Sequence, residues 1–318
     1  RGEIVRVSRL FLTLLLVAFS ASAQQESPPD YTLGVDLSYV NEMEDCGASY
    51  FQDGRPRDPY EIFHDAGANL VRLRLWNNPD WTDYSTLDDV IRSMRRAKAL
   101  GMSVLLDFHY SDTWADPGKQ IIPAAWADLD DEQLSDALYD YTLGVLQQLE
   151  TLDLIPDIVQ DGNEINTEIL RPADTSGYPI NWERNAALLN SAIRAVRDAG
   201  SSRVMVHIAQ PENVEGWLRS ALRAGVTDFD IIGVSYYSGW SDHTIRTIDN
   251  VVGRLRQRFE KDVMIVETAY PWTLNSVNES AGNVVGEDFI DPGYPATPEG
   301  QRQFMIDQIG RASCRERV

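Results

Sequence analysis

IVQDGNEIN, residues 158–166, and VMIVET, residues 263–268, are the two stretches that decide the fold of this chain. In each stretch a short apolar run, typical of a buried strand, leads to a glutamate, Glu164 in the first and Glu267 in the second. In a barrel of alternating strands and helices, the residues that do chemistry gather at the carboxyl ends of the strands. We therefore expect the two carboxylates to lie together, as acid/base hydrolysis of a glycosidic bond requires.

The rest of the chain alternates short apolar runs with longer amphipathic ones, which is the pattern of repeated strand–helix units around a parallel sheet. Seven strands are predicted, at 33–37, 70–75, 103–108, 158–162, 204–208, 231–235 and 263–267. The predicted helices lie between and after them, at 87–100, 133–149, 182–199, 214–224, 245–259 and 298–308. Several of these helices are followed by a glycine, as helix C-termini commonly are.

This pattern predicts an α/β fold, a (β/α)8 TIM barrel that is truncated before the eighth strand, because no further strand follows the helix at 298–308. A doubly wound open sheet is the alternative. It is disfavoured because no glycine-rich phosphate loop follows the first strand, where 34–38 (GVDLS) runs straight into Tyr39. A third reading is that the chain does not fold stably, since a barrel lacking one strand exposes two sheet edges.

The two ends of the sequence differ in character from the segment between them. Residues 1–23 combine three arginines, an apolar stretch and a small-residue ending (ASA), which predicts a signal peptide cleaved after Ala23. Residues 309–318 (IGRASCRERV) are abruptly basic, have no helical or strand period, and resemble the translation of a sequencing-library adapter; a natural basic tail is the alternative. Residues 24–308 show no linker and are predicted to form one barrel domain.

The charge balance limits the classes of partner. The chain carries 28 lysines and arginines against 49 aspartates and glutamates, a formal net charge of −21. Such a surface repels nucleic acid and anionic lipid, so we expect neither as a partner, whereas a neutral polysaccharide is compatible with it. After the signal, no segment has the roughly 20 apolar residues of a membrane-spanning helix. We expect a monomer that is secreted, either to the periplasm or out of the cell.

A third informative segment, 107–117 (DFHYSDTWADP), concentrates aromatic and acidic side chains. Exposed aromatic rings among polar groups suit sugars, whose apolar faces stack on Trp and Tyr while their hydroxyls form hydrogen bonds. The alternative is a strand end with buried aromatics and a capping aspartate. On the second strand, Arg72 and Arg74 alternate with apolar residues, which puts both on one face. Facing a barrel interior they need carboxylate partners, and we expect Glu164 or Glu267 to serve.

Five motifs in this order resemble glycoside hydrolase family 53, the endo-β-1,4-galactanases. They are VRLRLWNNP (71–79), DFHYSDTWADP (107–117), GNEIN (162–166), VSYY (234–237) and VETAYP (266–271). The likeness covers 31–308; its second motif is specific, whereas both glutamate motifs are shared by related barrels that include cellulases and mannanases. The resemblance implies a retaining glycoside hydrolase that acts on the galactan side chains of pectin (type I arabinogalactan).

By position in these motifs, the resemblance assigns Glu164 as the acid/base and Glu267 as the nucleophile of a double displacement. It assigns substrate binding to six further residues: Arg72, His109, Trp114, Asp116, Asn163 and Tyr237. Asn163 is implied to bind the 2-hydroxyl of the sugar. Asp161 and Arg171 stand where the family usually has an apolar residue and a Trp, which leaves the catalytic pair intact but affects the sugar subsites.

No cofactor is required for this chemistry, but the resemblance implies a structural calcium ion in the long loop after the seventh strand. Four residues there offer the hard oxygen ligands that calcium prefers, although their spacing matches no fixed metal motif: Asn275, Asn278, Asn283 and Asp288. Two other functions fit the same residues. One is a related barrel glycosidase acting on mannan or glucan, and the other is a non-catalytic carbohydrate-binding barrel.

Overall fold

Seven parallel strands form one sheet that curves into a nearly closed barrel in the computed structural model, which describes residues 32–200, 202–275 and 284–314. The sheet strands are β1 (Gly34–Asp36), β4 (Leu70–Leu75), β5 (Ser103–Phe108), β6 (Ile158–Asp161), β7 (Arg203–Ala209), β8 (Ile231–Tyr236) and β9 (Asp262–Thr268). Each pairs in parallel with the next sheet strand along the chain. The short strands β2 (Phe51–Gln52) and β3 (Arg55–Pro56) form a separate antiparallel hairpin.

Helices alternate with the strands of the sheet. They are α1 (Val40–Asp45), α2 (Pro59–Asp65), α3 (Leu87–Ala99), α4 (Asp131–Thr151), α5 (Trp182–Ala199), α6 (Pro211–Arg223), α7 (Ile248–Phe259) and α8 (Pro298–Cys314). Three long helices begin at a side chain that accepts a hydrogen bond from the first turn, Thr86 for α3, Asp130 for α4 and Asn181 for α5. These caps satisfy backbone N–H groups that no helical carbonyl reaches, and so fix where each helix starts.

The predicted (β/α) barrel is confirmed, and all seven predicted strands are present with each end within one residue of its predicted bound. The helices α1 and α2 and the β2–β3 hairpin were not predicted, because elements of two to seven residues are too short to show a full hydrophobic period. The expectation that regular structure stops after Gln308 is wrong, since α8 continues to Cys314.

The interior of the barrel has an apolar base. Leu70, Leu105, Ile158, Met205 and Ile231, one from each of five neighbouring strands, form a buried cluster. Side chains alternate between the two faces of a strand, so the residues two positions further along these strands also face the interior. Most of that second layer is polar, and it lies toward the carboxyl ends of the strands, where the predicted site residues meet.

The loop between β9 and α8 packs against the loop that follows β8. A 3₁₀ turn at Glu287–Phe289 places the ring of Phe289 at 5.1 Å from the ring of Trp240 in an edge-to-face contact. The hydroxyl of Ser238 donates a hydrogen bond to the Phe289 carbonyl. Two of the predicted calcium ligands, Asn275 and Asp288, belong to the described residues, and the other two, Asn278 and Asn283, lie outside them.

Residues from Thr32 onward form one compact unit. Among the helices that the structure describes, none combines the length and the apolar character needed to cross a membrane. The predicted signal peptide, residues 1–23, lies outside the described residues.

Candidate active site

The two glutamates meet at the carboxyl ends of the strands. One carboxylate oxygen of Glu164, one of Glu267 and a ring nitrogen of His207 all lie within 4.8 Å of one another. Glu164 follows β6, His207 lies on β7 and Glu267 lies near the end of β9. The fold thus brings together, from the ends of β6 and β9, the two carboxylates that were predicted to lie side by side, and places His207 of β7 beside them.

The loop that carries Glu164 is set by backbone geometry. Gly162 has φ of +87°, and a Cβ there would lie 2.5 Å from the side chain of Ile165, so only glycine fits without a shift. Glu164 itself has φ of +47°, a left-handed conformation that is uncommon for a side-chain-bearing residue. The backbone N–H of Ile165 donates to the carbonyl of His207 at 2.8 Å. Backbone strain and this bond to β7 fix the direction of the Glu164 side chain.

The surroundings of Glu164 favour its protonated form. Burial and the nearby Glu267 carboxylate raise the pKa of Glu164 to about 8, although a hydrogen bond from the Ser235 hydroxyl at 2.6 Å acts in the opposite direction. A buried carboxyl beside a second carboxylate keeps its proton because ionisation would put two negative charges close together. Glu164 therefore holds a proton near neutral pH and can donate it.

A β-bulge aims Glu267 into the site. The pairing of β8 with β9 steps from Val234 with Ile265 to Ser235 with Glu267, so Val266 is left over. In strict alternation Glu267 would share the face of Ile265, which packs toward the large cluster outside the barrel. The extra residue shifts the alternation and turns Glu267 toward the interior.

Glu267 is held by a cation and a phenol. A guanidinium nitrogen of Arg72 lies 2.8 Å from Oε1, and the Tyr237 hydroxyl donates to Oε2 at 3.0 Å. Burial and the Glu267 charge raise the pKa of Tyr237, so this phenol remains a proton donor. Both carboxylate oxygens thus accept from fixed donors, which hold the side chain of Glu267 in one orientation.

Arg72 connects Glu267 to two further carboxylates. Its guanidinium lies 2.9 Å from Asp36 and 2.8 Å from Asp107, and the side chain of Arg72 is buried. Burial alone would lower the pKa of Arg72, but the three carboxylates raise it. Burial likewise opposes the ionisation of Asp107, yet Arg72 and His109 together lower the pKa of that carboxyl. The predicted carboxylate partner of Arg72 is therefore present, as part of a larger network.

Arg74 has different surroundings from those expected. Its guanidinium donates to the hydroxyl of Ser85 at 3.2 and 3.0 Å, and no ion pair joins it to a carboxylate within the described ranges. Instead it lies 4.7 Å from the ring centre of Tyr39, 4.5 Å from that of Trp76 and 4.0 Å from that of Trp114. The prediction of a carboxylate partner was wrong because aromatic faces, which are electron-rich, can neutralise a buried guanidinium in part.

The segment after β5 builds one wall of the site. Both ring nitrogens of His109 are engaged: Nε2 lies 3.0 Å from Asp107, and Nδ1 accepts from the backbone N–H of Ala115 at 3.0 Å. The ring of Trp114 is exposed and lies edge-on to His109 at 5.7 Å. The side chain of Asp116 is half-buried and accepts from the N–H of Gly118 at 2.7 Å. The segment thus presents one aromatic ring and one carboxylate beside the glutamates.

Asn163 and Gln120 join this wall to the loop of Glu164. The amide oxygen of Asn163 accepts from Arg72 at 2.8 Å, and its nitrogen donates to the carbonyl of Ala115 at 2.8 Å. The amide nitrogen of Gln120 donates to the backbone carbonyls of Asn163 and Glu164 at 2.8 and 3.2 Å. All eight predicted site residues therefore lie in one connected group around the two glutamates. Their individual roles toward a substrate stay predictions.

Sequence reasoning missed three buried polar residues of this group, Gln160, His207 and Ser235. All three are fully buried within apolar strands. A signal was present, because a polar residue inside an apolar strand needs a buried partner and, in a barrel, faces either the helices or the interior. Counting in steps of two from Ile158 and Met205 would have placed Gln160 and His207 in the interior.

Glu164, His207 and Glu267 also satisfy the spacing of a three-ligand metal site. Both ring nitrogens of His207 have partners in the protein, however: Nδ1 lies 3.2 Å from the backbone N–H of Glu164, and Nε2 lies 2.8 Å from the Ser235 hydroxyl. A metal-binding imidazole needs one nitrogen lone pair directed at the ion. The arrangement therefore suits proton exchange better than metal binding.

Comparison with known proteins points to one family. The profile of glycosyl hydrolase family 53 matches residues 32–314. An arabinogalactan endo-β-1,4-galactanase of Cellvibrio japonicus is 49% identical over 300 residues, which cover 92% of this chain and 79% of that protein. A galactanase of the same description from Thermothelomyces thermophilus is 35% identical over 285 residues, covering 86% and 82%. The solved family 53 catalytic domain of Ignisphaera aggregans superposes with a TM-score of 0.81 at 35% identity, covering 90% of this chain and 82% of that one.

Proposed function

This chain belongs to glycosyl hydrolase family 53, and from that membership we propose that it is an endo-β-1,4-galactanase. The relatives described as arabinogalactan endo-β-1,4-galactanases, one of them 49% identical, support this substrate class. The substrate that we propose is the galactan side chain of pectin, the type I arabinogalactan. The strongly acidic chain is compatible with a neutral galactan and disfavours polyanionic partners.

We propose a retaining, double-displacement mechanism. This mechanism is supported by one distance: a carboxylate oxygen of Glu164 lies within 4.8 Å of a carboxylate oxygen of Glu267. Retaining glycosidases have carboxyl groups about 5 to 5.5 Å apart, whereas inverting ones need a wider gap of about 6.5 to 9.5 Å to admit a water molecule between carboxylate and sugar. The short separation leaves room for direct attack on the sugar by one carboxylate.

In the first step, Glu267 attacks the anomeric carbon while Glu164 gives its proton to the departing glycosidic oxygen. The bond between the anomeric carbon and that oxygen breaks, and a glycosyl ester of Glu267 forms. In the second step, Glu164 takes a proton from water, the resulting hydroxyl adds to the anomeric carbon, and Glu267 leaves as a carboxylate. Arg72 and Tyr237 hold Glu267 ionised at the start and receive it again at the end.

Two substitutions of the glutamates test the mechanism on unbranched β-1,4-galactan. We expect Glu267→Gln to abolish cleavage and Glu164→Gln to lower kcat by roughly 10² to 10⁴. Glu132→Gln, on the exposed surface of α4, is the matched control and should leave kcat unchanged. NMR of the first product should show the β-anomer before mutarotation. Undiminished turnover by Glu267→Gln, or an α-anomer as first product, would refute the mechanism.

A panel of polysaccharides tests the substrate. Reducing ends should appear with β-1,4-galactan and stay at background with β-1,4-mannan and β-1,4-glucan. Cleavage of mannan or glucan in place of galactan would instead support a related barrel glycosidase. Galactan binding without any product after long incubation would support a non-catalytic binding barrel.

We propose that the protein is secreted as a monomer and that the signal peptide at 1–23 directs its export. The proposal rests on the charged, apolar and small-residue regions of that segment. Expression of the full chain in a bacterial host, followed by fractionation and N-terminal sequencing, should find a mature protein that begins at Gln24. Light scattering of that product should give the mass of a single chain.

We also propose a structural calcium ion in the loop after β9. Asn275 and Asp288 offer oxygen ligands, and one carboxylate oxygen of the buried Asp291 in the same loop has no hydrogen-bond partner among the residues that the structure describes. An oxygen-only donor set suits calcium, which takes six to eight oxygen ligands. Removal of calcium by EDTA should lower the melting temperature by several degrees, and added CaCl₂, but not MgCl₂, should restore it. An EDTA-treated protein with an unchanged melting temperature would contradict a structural ion.

A further inference from the structure

Ser235 and His207 form a buried hydrogen-bonded pair beneath Glu164. The hydroxyl of Ser235 lies 2.6 Å from Oε1 of Glu164 and 2.8 Å from Nε2 of His207. Nδ1 of the same imidazole lies 3.2 Å from the backbone N–H of Glu164. Ser235 and His207 have no exposed surface. The two residues therefore close a ring of contacts that begins at the backbone of Glu164 and returns to its carboxyl group.

The direction of each hydrogen bond in this ring follows from one fixed donor. A backbone N–H can only donate, so Nδ1 of His207 accepts from Glu164. Burial lowers the pKa of His207 to about 4, so its imidazole is neutral and carries its single N–H proton on Nε2. Nε2–H then donates to the oxygen of Ser235, which leaves the Ser235 proton for Oε1 of Glu164.

The neighbours of Nδ1 agree with this assignment. The amide nitrogen of Gln160 lies 3.0 Å from Nδ1 and adds a second N–H directed at it. The amide oxygen of Asn163 also lies 3.0 Å from Nδ1, but its two lone pairs have other donors, Arg72 at 2.8 Å and the amide nitrogen of Gln160 at 3.2 Å. The amide nitrogen of Gln160 donates one N–H to Oδ1 of Asp107 at 2.6 Å, and its other N–H lies between Nδ1 of His207 and the amide oxygen of Asn163.

We propose that Ser235 and His207 are positioning residues that confine the acid proton of Glu164 to Oε2, the oxygen that Ser235 does not contact. Oε1 must accept from Ser235, so it cannot carry the proton without facing a second one. Oε2 is then the one carboxyl oxygen that delivers the proton to the glycosidic oxygen and later receives one from water. This inference rests on the proposed function, since it refines the role of Glu164 as acid/base.

Ser235→Ala tests the proposal, because it removes the hydroxyl that donates to Oε1 of Glu164 and accepts from Nε2–H of His207. We expect kcat/KM for galactan to fall by roughly tenfold or more, since a proton on Oε1 is not directed at the leaving oxygen. For the 4-nitrophenyl glycoside of β-1,4-galactobiose, whose leaving group departs without protonation, we expect less than a roughly twofold loss. The alkaline limb of the kcat/KM profile should also move to higher pH, because Ser235 no longer stabilises ionised Glu164.

Ser235→Thr restores the hydroxyl and should return the alkaline limb toward that of the wild type, whereas Glu132→Gln, on the exposed surface of α4, is the matched control and should retain both kcat/KM values. The melting temperatures of the two Ser235 variants check that each is folded. Equal losses of kcat/KM for Ser235→Ala on galactan and on the aryl glycoside, with no shift of the alkaline limb, would overturn the proposal. Ser235 would then have a structural role only. If the wild-type protein cleaves mannan or glucan instead, the galactan proposal fails. The losses of kcat/KM caused by Ser235→Ala are then compared between that polysaccharide and its aryl glycoside. A wild-type protein that cleaves none of them would overturn both proposals.

Discussion

Asp161 is a buried carboxyl group outside the catalytic pair, and its surroundings predict an unusual dependence of stability on pH. The Tyr110 hydroxyl donates to Oδ1 of Asp161 at 3.1 Å, and Oδ2 has no hydrogen-bond partner in the described part of the chain. Burial raises the pKa of Asp161 from 3.8 to about 7, against smaller opposite effects of Tyr110 and Arg197. Without a nearby cation in contact, the folded protein favours the neutral acid.

Because the pKa of Asp161 is higher in the folded chain than in the unfolded chain, the protein loses stability as the pH rises. Below pH 4 the carboxyl is protonated in both the folded and unfolded chains and contributes no pH dependence. As the pH rises from about 4 to about 7, the unfolded chain releases the proton while the folded chain retains it, which costs about 1.4 kcal/mol of stability per pH unit. Above pH 7 the loss levels off at about 4 kcal/mol.

Asp161→Asn removes this titration and keeps the shape of the side chain. We expect the free energy of unfolding of the variant, relative to that of wild type, to rise by about 2 kcal/mol between pH 5.5 and pH 8. Urea unfolding followed by tryptophan fluorescence at both pH values measures this change. Asp128→Asn, at an exposed position, is the matched control and should show no such change. A variant whose stability differs from wild type by the same amount at both pH values would refute the reasoning.

Two further predictions concern the catalytic pair and its support. In the proposed mechanism Glu164 must be protonated to act as the acid, and its pKa is raised to about 8, so kcat/KM for galactan should fall as the pH rises through about 8; a limb that falls near pH 5 would contradict this assignment. Arg72→Met should lower the free energy of unfolding by about 3 kcal/mol and reduce kcat, since it leaves buried carboxylates without their cation. The exposed pair of Arg92 with Asp45, at 2.7 Å, provides the control, and Arg92→Met should leave both quantities unchanged.

The barrel could be predicted from the sequence because its strands are nearly continuous apolar runs. Strands β4 and β5 have the predicted ends, at Leu70–Leu75 and Ser103–Phe108. A strand covered on both faces is mostly apolar, so its limits lie close to those of the apolar run even where buried polar residues such as Arg72 interrupt it. The same rule placed Glu164 and Glu267 at one end of the barrel, since in a parallel sheet all carboxyl ends of strands lie on the same side.

The details of the site could not be predicted in the same way, because they depend on contacts between distant segments. The bulge at Val266 decides which face Glu267 occupies, and it becomes visible only when β9 is paired with β8. The two arginines of β4 give a second example. Arg72 and Arg74 have the same spacing pattern, yet one meets carboxylates from three other segments and the other meets aromatic rings.

Glu164 and Glu267 differ in the charge of the groups that they contact, and this difference decides which of them keeps a proton. Both are partly buried and lie within 4.8 Å of each other, so the repulsion between them is shared and cannot by itself decide which one ionises. Glu267 contacts the guanidinium of Arg72, whereas Glu164 contacts the neutral hydroxyl of Ser235. A cation stabilises a carboxylate far more than a neutral donor does, so Glu164 is the member of the pair that keeps its proton, in agreement with its raised pKa. A protonated Glu164 beside Glu267 is what the proposed mechanism requires of its acid, and it follows from the position of Arg72 on β4.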